Sequence, residues 1–154
     1  MRDFINIIES ETCVPLLELI KKAQEKFGAQ NLYSGNCGSF AIALGAILSE
    51  MNIDFKVGIL FNQDRMEEGD AFSTQAIIEA ETDIYHMAIV IGNRLYDGDG
   101  EISEQDFVDY AKAYADDNPG AYLVDYSDRW LKSLVENETN WTIPPSVFEK
   151  AMRG

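Results

Sequence analysis

The sequence is poor in histidine, cysteine and basic residues, and each shortage excludes a class of function. Of its 154 residues, one is histidine, two are cysteine, and 12 are lysine or arginine against 27 aspartate or glutamate. The formal net charge is therefore −15. Nucleic acids and anionic membranes are bound through clustered lysine and arginine, so we expect neither as a partner. A basic protein is the partner that this charge would favour.

Recognisable metal and cofactor motifs are missing too. The two cysteines, Cys13 and Cys37, are not spaced as Cys-x-x-Cys, and with one histidine they cannot form a conventional zinc site without carboxylates. Acidic residues alternate over 97–101 as in a calcium-binding loop. However, Ile102 and Val108 occupy the positions where that loop needs a glycine and a final acid. No glycine-rich phosphate loop or dinucleotide motif is present. We therefore expect no metal and no cofactor.

Long apolar runs are missing as well. No stretch approaches the roughly 18 apolar residues of a membrane span. The first eleven residues lack the apolar core of a signal peptide. We therefore predict a cytoplasmic protein without membrane contact, with both cysteines as reduced thiols. The length and the 46% hydrophobic content fit a single domain over residues 1–154, and leave the oligomeric state open.

The order of predicted elements is typical of an α+β fold. Apolar residues spaced three or four apart predict helices at 14–27, 37–51, 73–79, 103–114, 127–136 and 145–152. Between the first two helices we predict a polar loop at 29–36. Apolar and β-branched runs predict strands at 55–61, 84–91, 94–96 and 121–125, with Gly92-Asn93 as a hairpin turn. Helices thus come before and after an antiparallel sheet, which is the α+β pattern.

Three residues have the types that a thiol nucleophile requires. Cys37 follows a glycine-containing turn at the start of an apolar helix, where free backbone N–H groups and the helix dipole favour a thiolate. His86 lies on the first strand of the predicted hairpin, and Asp97 follows the second. With the turn at Gly92-Asn93, Asp97 is expected to pair across close to His86. We therefore predict Cys37 as nucleophile, His86 as acid and base, and Asp97 as the acid that orients the imidazole.

Each of these residues also has an ordinary structural explanation. A cysteine in an apolar helix is often a small buried hydrophobic residue, and Asp97 and Asp99 suit a glycine-rich turn. The joint order and context of the three residues nevertheless favour a triad. Asp97 is the expected orienting residue because it ends a strand, whereas Asp99 lies two residues farther into the turn.

Two segments carry a family resemblance. Gly35-Asn-Cys-Gly-Ser-Phe-Ala41 resembles the nucleophile segment of papain-like cysteine proteases. The stretch from His86 to Asp97 looks like the His-strand-turn-strand-Asp segment shared by papain-like, transglutaminase-like and cell-wall endopeptidase families. Together they cover under a fifth of the chain. The resemblance implies a papain-like fold, in which a central buried helix packs on a small antiparallel sheet with flanking helices.

The resemblance has departures and one further implication. Phe40 stands where papain-like enzymes carry a cysteine, and the spacing between Cys37 and His86, 86 − 37 = 49 residues, is shorter than in papain itself. The compact branches of the superfamily therefore fit better. In papain-like enzymes a glutamine six residues before the cysteine helps to form the oxyanion hole. Asn31 holds that position here, with Gln30 adjacent, so the resemblance implies Asn31 as an oxyanion donor.

The predicted function is that of a cysteine-dependent hydrolase or acyltransferase, either a thiol protease or an amidase. Its substrate would be a peptide, amide, thioester or isopeptide, including one within a protein, and the reaction would pass through an acyl-enzyme. The alternative is an acidic, non-catalytic binding or inhibitor protein that retains the papain-like fold. The strong negative charge and modest size suit that role, and a fold does not fix a function.

Overall fold

Helices precede and follow an antiparallel sheet along the chain. The structure, a computed structural model, describes residues 2–33, 36–66, 72–137 and 143–154, with side chains from residue 15 onward apart from those of Gln30, Tyr33 and Asn137. The helices are α1 (Arg2–Phe27), α2 (Ala29–Tyr33), α3 (Cys37–Glu50), α4 (Thr74–Glu79), α5 (Glu104–Asp109), α6 (Leu131–Asn137) and α7 (Pro145–Arg153), with 3₁₀ helices at Gln63–Arg65 and Tyr110–Tyr114. The strands are β1 (Lys56–Phe61), β2 (Ile84–Ile91), β3 (Arg94–Asp97), β4 (Gly100–Ile102) and β5 (Gly120–Asp125). The predicted α+β class is confirmed.

The sheet carries apolar side chains on both faces. Its strand order is β4-β3-β2-β1-β5, and neighbouring strands are antiparallel. Every residue of the central strand β2 is buried, as are five of the six residues of β1. The larger core joins the sheet to α1, α3, α6 and α7, and a smaller core on the sheet includes Phe107 of α5 and Ala111 of the following 3₁₀ helix. The central strands are therefore uniformly apolar rather than alternating, because both of their faces are covered.

Helix α3 is the most buried helix that the sequence predicted. Ten of its 14 residues are buried, because its apolar residues occupy nearly the whole circumference. It packs against β2 on one side and against α7 and α6 on others. The sulfur of Met87 and the side chain of Val135 lie at 3.1 and 3.3 Å from where a Cβ at Gly38 would be. The missing side chain of Gly38 therefore lets the start of α3 approach β2 closely.

The first helix is longer than predicted. α1 begins at Arg2 rather than near residue 14, and Pro15 lies inside it. The prediction treated Pro15 as a residue of the first turn, because proline removes one backbone hydrogen bond in a helix interior. Tertiary packing along α1 offsets that loss, since Leu16, Ile20 and Ala23 are fully buried. Of the helices in the described ranges, none combines the length and apolar character that crossing a bilayer requires.

Three further predictions were wrong in detail. The segment 29–36, predicted as a loop, contains helix α2, which follows directly after Gly28 adopts a positive φ of 80°. The glycine-rich turn after Asp97 leads into strand β4, which was not predicted. Helix α6 begins at Leu131 rather than at 127, because Asp128 accepts a hydrogen bond from the Trp130 N–H (2.8 Å) and forms a turn there.

Candidate active site

The candidate nucleophile, Cys37, is the first residue of α3. Its side chain is partly exposed, whereas the three residues that follow it are buried. The first N–H groups of a helix have no carbonyl one turn earlier to bond, and in α3 the first intrahelical bond runs from the Phe40 N–H to the Asn36 carbonyl at 2.9 Å. The helix dipole adds a positive potential at the same place. The sulfur atom is thus both accessible and close to groups that favour negative charge.

Asn36 occupies the N-cap position but does not use its side chain as a cap. Its amide instead connects two other segments, since Nδ2 donates to the Asn31 carbonyl at 2.9 Å and Oδ1 accepts from the Ile143 N–H at 3.1 Å. The Ser39 hydroxyl donates to the carbonyl of the same Ile143. Both Asn36 and Ser39 are buried. The backbone of Ile143 is therefore held against the first turn of the cysteine helix.

A bulge lies beside His86 on the central strand. Leu60 of β1 pairs with His86, but the next residue, Phe61, pairs with Ile84, so that Tyr85 is an extra residue on β2. Bulges of this kind turn a neighbouring side chain and are frequent next to active sites. The His86 side chain is fully buried, and its ring lies 5.7 Å from the ring of Phe107. It thus faces the smaller core.

Asp97 is joined to His86 by a short hydrogen bond. Oδ2 of Asp97 lies 2.7 Å from Nε2 of His86, and both side chains are buried. The paired register of β2 and β3 ends at Ile89 and Tyr96. Continuing it would place Asp97 opposite Ala88, two residues from His86, so the two side chains meet diagonally on one face. The structure therefore brings His86 and Asp97 together, and Asp97 lies one residue past the position near His86 and Met87 at which it was expected to pair.

The other oxygen of Asp97 is fixed by the turn that follows. Oδ1 accepts a hydrogen bond from the Asp99 N–H at 2.8 Å. The intervening Gly98 packs so closely on Leu32 of α2 that a Cβ there would overlap the leucine, and its carbonyl accepts from Gln24 of α1 at 2.6 Å. The first two helices thus hold the turn in position, and with it the carboxylate.

The second ring nitrogen of His86 has no hydrogen-bond partner among the described residues. This atom, Nδ1, is buried. Burial lowers the pKa of His86, but hydrogen bonding to Asp97 and the nearby Cys37 thiol outweigh it and raise that pKa to about 9. Cys37 is therefore close enough to act on the imidazole, although the geometry at Nδ1 is not that of a formed hydrogen bond. Contacts of this kind are often long when no substrate is bound.

Tyr110 covers the imidazole. The two rings are stacked with centroids 3.7 Å apart and planes 8° apart. The Tyr110 hydroxyl donates to Oδ2 of Asp97 at 3.3 Å and to Oδ2 of Asp99 at 3.4 Å. The nearby carboxylates and burial raise the pKa of Tyr110, with burial the larger cause. Burial, followed by the charge of Asp97, likewise raises the pKa of Asp99.

Tyr110 was not among the predicted site residues. A usable signal was the spacing of Phe107 and Tyr110, which are three residues apart on the helix after Asp97 and therefore share a face. Both contact His86.

Among the described side chains, no contact was found that joins Asn31 to Cys37, His86 or Asp97. Its Nδ2 donates to the Phe27 carbonyl at 2.6 Å, and the side chain is exposed. An oxyanion role for Asn31 stays a prediction, and it requires this amide to exchange its bond with Phe27. The side chain of the second cysteine, Cys13, lies outside the described residues, so its lower reactivity also stays a prediction.

Comparison of the chain with known proteins found no match among protein-family models, curated proteins or solved structures. Within the described ranges, no group of three or more His, Cys, Asp or Glu side chains is arranged to hold a metal ion. The groups that this site offers for chemistry are the Cys37 thiol, the His86 imidazole and the Asp97 carboxylate.

Proposed function

We propose that the protein is a cysteine-dependent hydrolase or acyltransferase with a papain-like fold, acting on an amide, thioester or isopeptide carbonyl. The observation that carries the proposal is the state of His86. One ring nitrogen is bonded to a buried carboxylate, while the other is buried, has no hydrogen-bond partner among the described residues, and is close to a thiol at a helix start. A purely structural buried histidine would have both nitrogens satisfied.

The orientation of the ring fits this chemistry. In serine protease triads the acid binds Nδ1 and Nε2 serves the nucleophile. Here Asp97 holds Nε2, so Nδ1 remains for Cys37. The two ring nitrogens therefore have the same two roles as in those triads: the one bound by the acid orients the ring, and the other exchanges the proton with the nucleophile.

The proposed reaction starts from an ion pair. Because its raised pKa keeps His86 protonated at neutral pH, the thiolate of Cys37 is stabilised by an adjacent cation as well as by the helix N-terminus. The thiolate attacks the carbonyl carbon, and the C=O electron pair moves to oxygen, which backbone N–H groups at the start of α3 stabilise. The C–N, C–S or equivalent bond then breaks, and Nδ1–H of His86 protonates the leaving group. Water or another acceptor, deprotonated by His86, releases the acyl group and restores the thiolate.

The first prediction concerns the rate of thiol alkylation as a function of pH. An ordinary thiol loses about 80-fold in thiolate between pH 8 and pH 6, and its alkylation rate falls accordingly. We expect the iodoacetamide rate at Cys37 to fall by less than about 5-fold over that range, because the imidazolium sustains the thiolate. Matched proteins, Cys13→Ala and Cys37→Ala, isolate the two thiols.

The two variants also separate the proposal from its alternative. Cys37→Ala should retain the fold, since alanine is close in size to cysteine and favours helix. It should abolish any hydrolysis of activated esters or amides. An alkylation profile at Cys37 that is as steep as an ordinary thiol's would favour the acidic binding or inhibitor protein, for which the charge of −15 is the supporting observation.

A further inference from the structure

Tyr110 makes contacts that packing alone does not require. It lies parallel to the imidazole at a centroid distance of 3.7 Å, whereas the other aromatic neighbour of His86, Phe107, is tilted by 52° at 5.7 Å. Tyr110 is half-buried, whereas the imidazole beneath its ring is fully buried. The Tyr110 ring therefore covers one face of His86.

The hydroxyl is placed as specifically as the ring. It donates to Oδ2 of Asp97, the same oxygen that binds Nε2 of His86, and reaches Oδ2 of Asp99 on its other side. Tyr110 therefore contacts the imidazole through the face of its ring and the Asp97 carboxylate through its hydroxyl. Rotation of the imidazole would break the ring stack. Rotation of the carboxylate would break its hydrogen bonds with the Tyr110 hydroxyl and the Asp99 N–H.

We propose that Tyr110 is a positioning residue that fixes the plane of the His86 imidazole and the rotamer of Asp97, so that Nδ1 stays directed at Cys37. The inference rests on the proposed function for its catalytic meaning. Its physical content, however, is a restraint on His86 that exists whether or not the protein turns over a substrate. The electron-rich face of the phenol also stabilises the imidazolium beneath it. The charged groups that act on His86 are Cys37 from α3, Asp97 at the end of β3 and Asp99 in the turn that follows, while Tyr110 contacts it through its ring.

Two substitutions separate the ring from the hydroxyl. Tyr110→Phe keeps the stacked ring and removes the two hydrogen bonds to the carboxylates. Tyr110→Leu removes both. Tyr114→Leu is the matched control, because Tyr114 lies four residues later on the same 3₁₀ helix and stacks on Tyr85 rather than on His86.

The direct readout is the imidazole itself. Since His86 is the only histidine, ¹⁵N-histidine labelling gives one set of ring signals. We expect the solvent exchange of the Nε2 proton to accelerate at least about 10-fold in Tyr110→Leu and about 2–5-fold in Tyr110→Phe, in line with the strength of one aromatic stack and one weak hydrogen bond. The control Tyr114→Leu should remain within about 2-fold of the wild type.

The second readout is the rate of Cys37 alkylation at pH 6.5. We expect alkylation to be slowest in Tyr110→Leu, intermediate in Tyr110→Phe and closest to the wild-type rate in Tyr114→Leu. Melting curves for each variant show whether the fold is kept. Wild-type exchange rates in both Tyr110 variants would overturn the proposal, as would equal acceleration in Tyr110→Leu and Tyr114→Leu. If Tyr110→Leu does not fold, Tyr110→Phe decides the outcome through the proton exchange. Slow alkylation of Cys37 in the wild-type protein would instead contradict the proposed function, and leaves the exchange measurement valid.

Discussion

Burial is what makes the contact between His86 and Asp97 informative. On a protein surface such a pair stabilises the fold by about 0–1 kcal/mol and has little meaning. In the interior the carboxylate must be compensated by several hydrogen bonds, since leaving a buried charge unpaired costs several kcal/mol. Asp97 has three, from His86, Tyr110 and the Asp99 N–H. A fully satisfied acid beside a half-satisfied histidine is therefore the unusual feature of this protein.

At the same scale, Asp97 and Asp99 should differ sharply in their effect on Cys37. Asp97 bonds to the imidazole, whereas Asp99 reaches the Tyr110 hydroxyl and acts on His86 only through its charge. We expect Asp97→Asn to slow the alkylation of Cys37 at pH 8 by about 10-fold. Losing the adjacent charge lowers the pKa of His86 by about 1–3 from its value of about 9, so most of the imidazolium is lost at that pH.

The matched variant is Asp99→Asn, which makes the same chemical change two residues away. Its alkylation rate should stay within about 3-fold of the wild type, since its charge lies farther from the ring. A severe defect in Asp99→Asn with a mild one in Asp97→Asn would show that the acids have exchanged roles. Negligible effects in both would argue for the non-catalytic alternative.

At the scale of elements, two side chains at the start of α3 bind the segment that leads into α7. Asn36 and Ser39 together bind the N–H and the carbonyl of Ile143, just before α7 begins. Farther along α3, a Cβ at Gly45 would overlap the ring of Tyr126, whose hydroxyl donates to the Ile42 carbonyl at 2.8 Å. The missing side chain of Gly45 thus makes room for the Tyr126 ring against α3.

The amide of Asn36 gives an element-scale prediction. Asn36→Ala leaves the Ile143 N–H and the Asn31 carbonyl without this partner, and an unsatisfied buried group costs about 1–3 kcal/mol. We expect the free energy of unfolding in urea to fall by about 2 kcal/mol.

Ser39→Ala is the control for this prediction. It removes a buried hydroxyl that donates to the Ile143 carbonyl, so one hydrogen bond is lost rather than two and no charge is buried. Its loss should therefore be smaller than that of the Asn36→Ala variant. Equal losses in the two variants would mean that one of the two Asn36 hydrogen bonds contributes nothing.

At the scale of the whole molecule, His86 should link stability to pH. Its pKa is raised from 6.5 to about 9 in the folded protein. A group with a raised folded pKa contributes its full stabilisation below the unfolded value and loses it as pH rises through the folded value. We therefore expect the His86 contribution to be complete below about pH 6.5 and to decline by roughly 1–3 kcal/mol as the pH approaches 9.

The measurement is urea unfolding at pH 6, 7.5 and 9 for Cys37→Ala and for Cys37→Ala combined with His86→Gln. Removing the thiol removes the group whose ionisation is coupled to that of His86, and the remaining titrating groups are common to both proteins. The difference in the free energy of unfolding should shrink with rising pH. Adding Asp97→Asn should weaken this pH dependence, since the Asp97 carboxylate is one of the groups that raise the pKa of His86. A difference that is constant across the three pH values would contradict the prediction.

The sequence by itself determined the elements whose patterns are local. The helix α3 with its 3.6-residue spacing and the Gly92-Asn93 hairpin between β2 and β3 were both predicted, and the structure confirms them. These features depend on neighbours within a few residues, so a single stretch of sequence contains their cause. The nomination of Cys37, His86 and Asp97 came from residue type and order in the same way.

Only the tertiary structure decided how those residues meet. The bulge at Tyr85, the diagonal contact of Asp97 with His86, and the stacking of Tyr110 depend on partners from separate elements. The helix through Pro15 likewise depends on packing that offsets a local cost. Burial and pKa are properties of the assembled surroundings, which no local pattern encodes. The sequence therefore supplied the reactive groups, and long-range packing supplied their geometry and charge state.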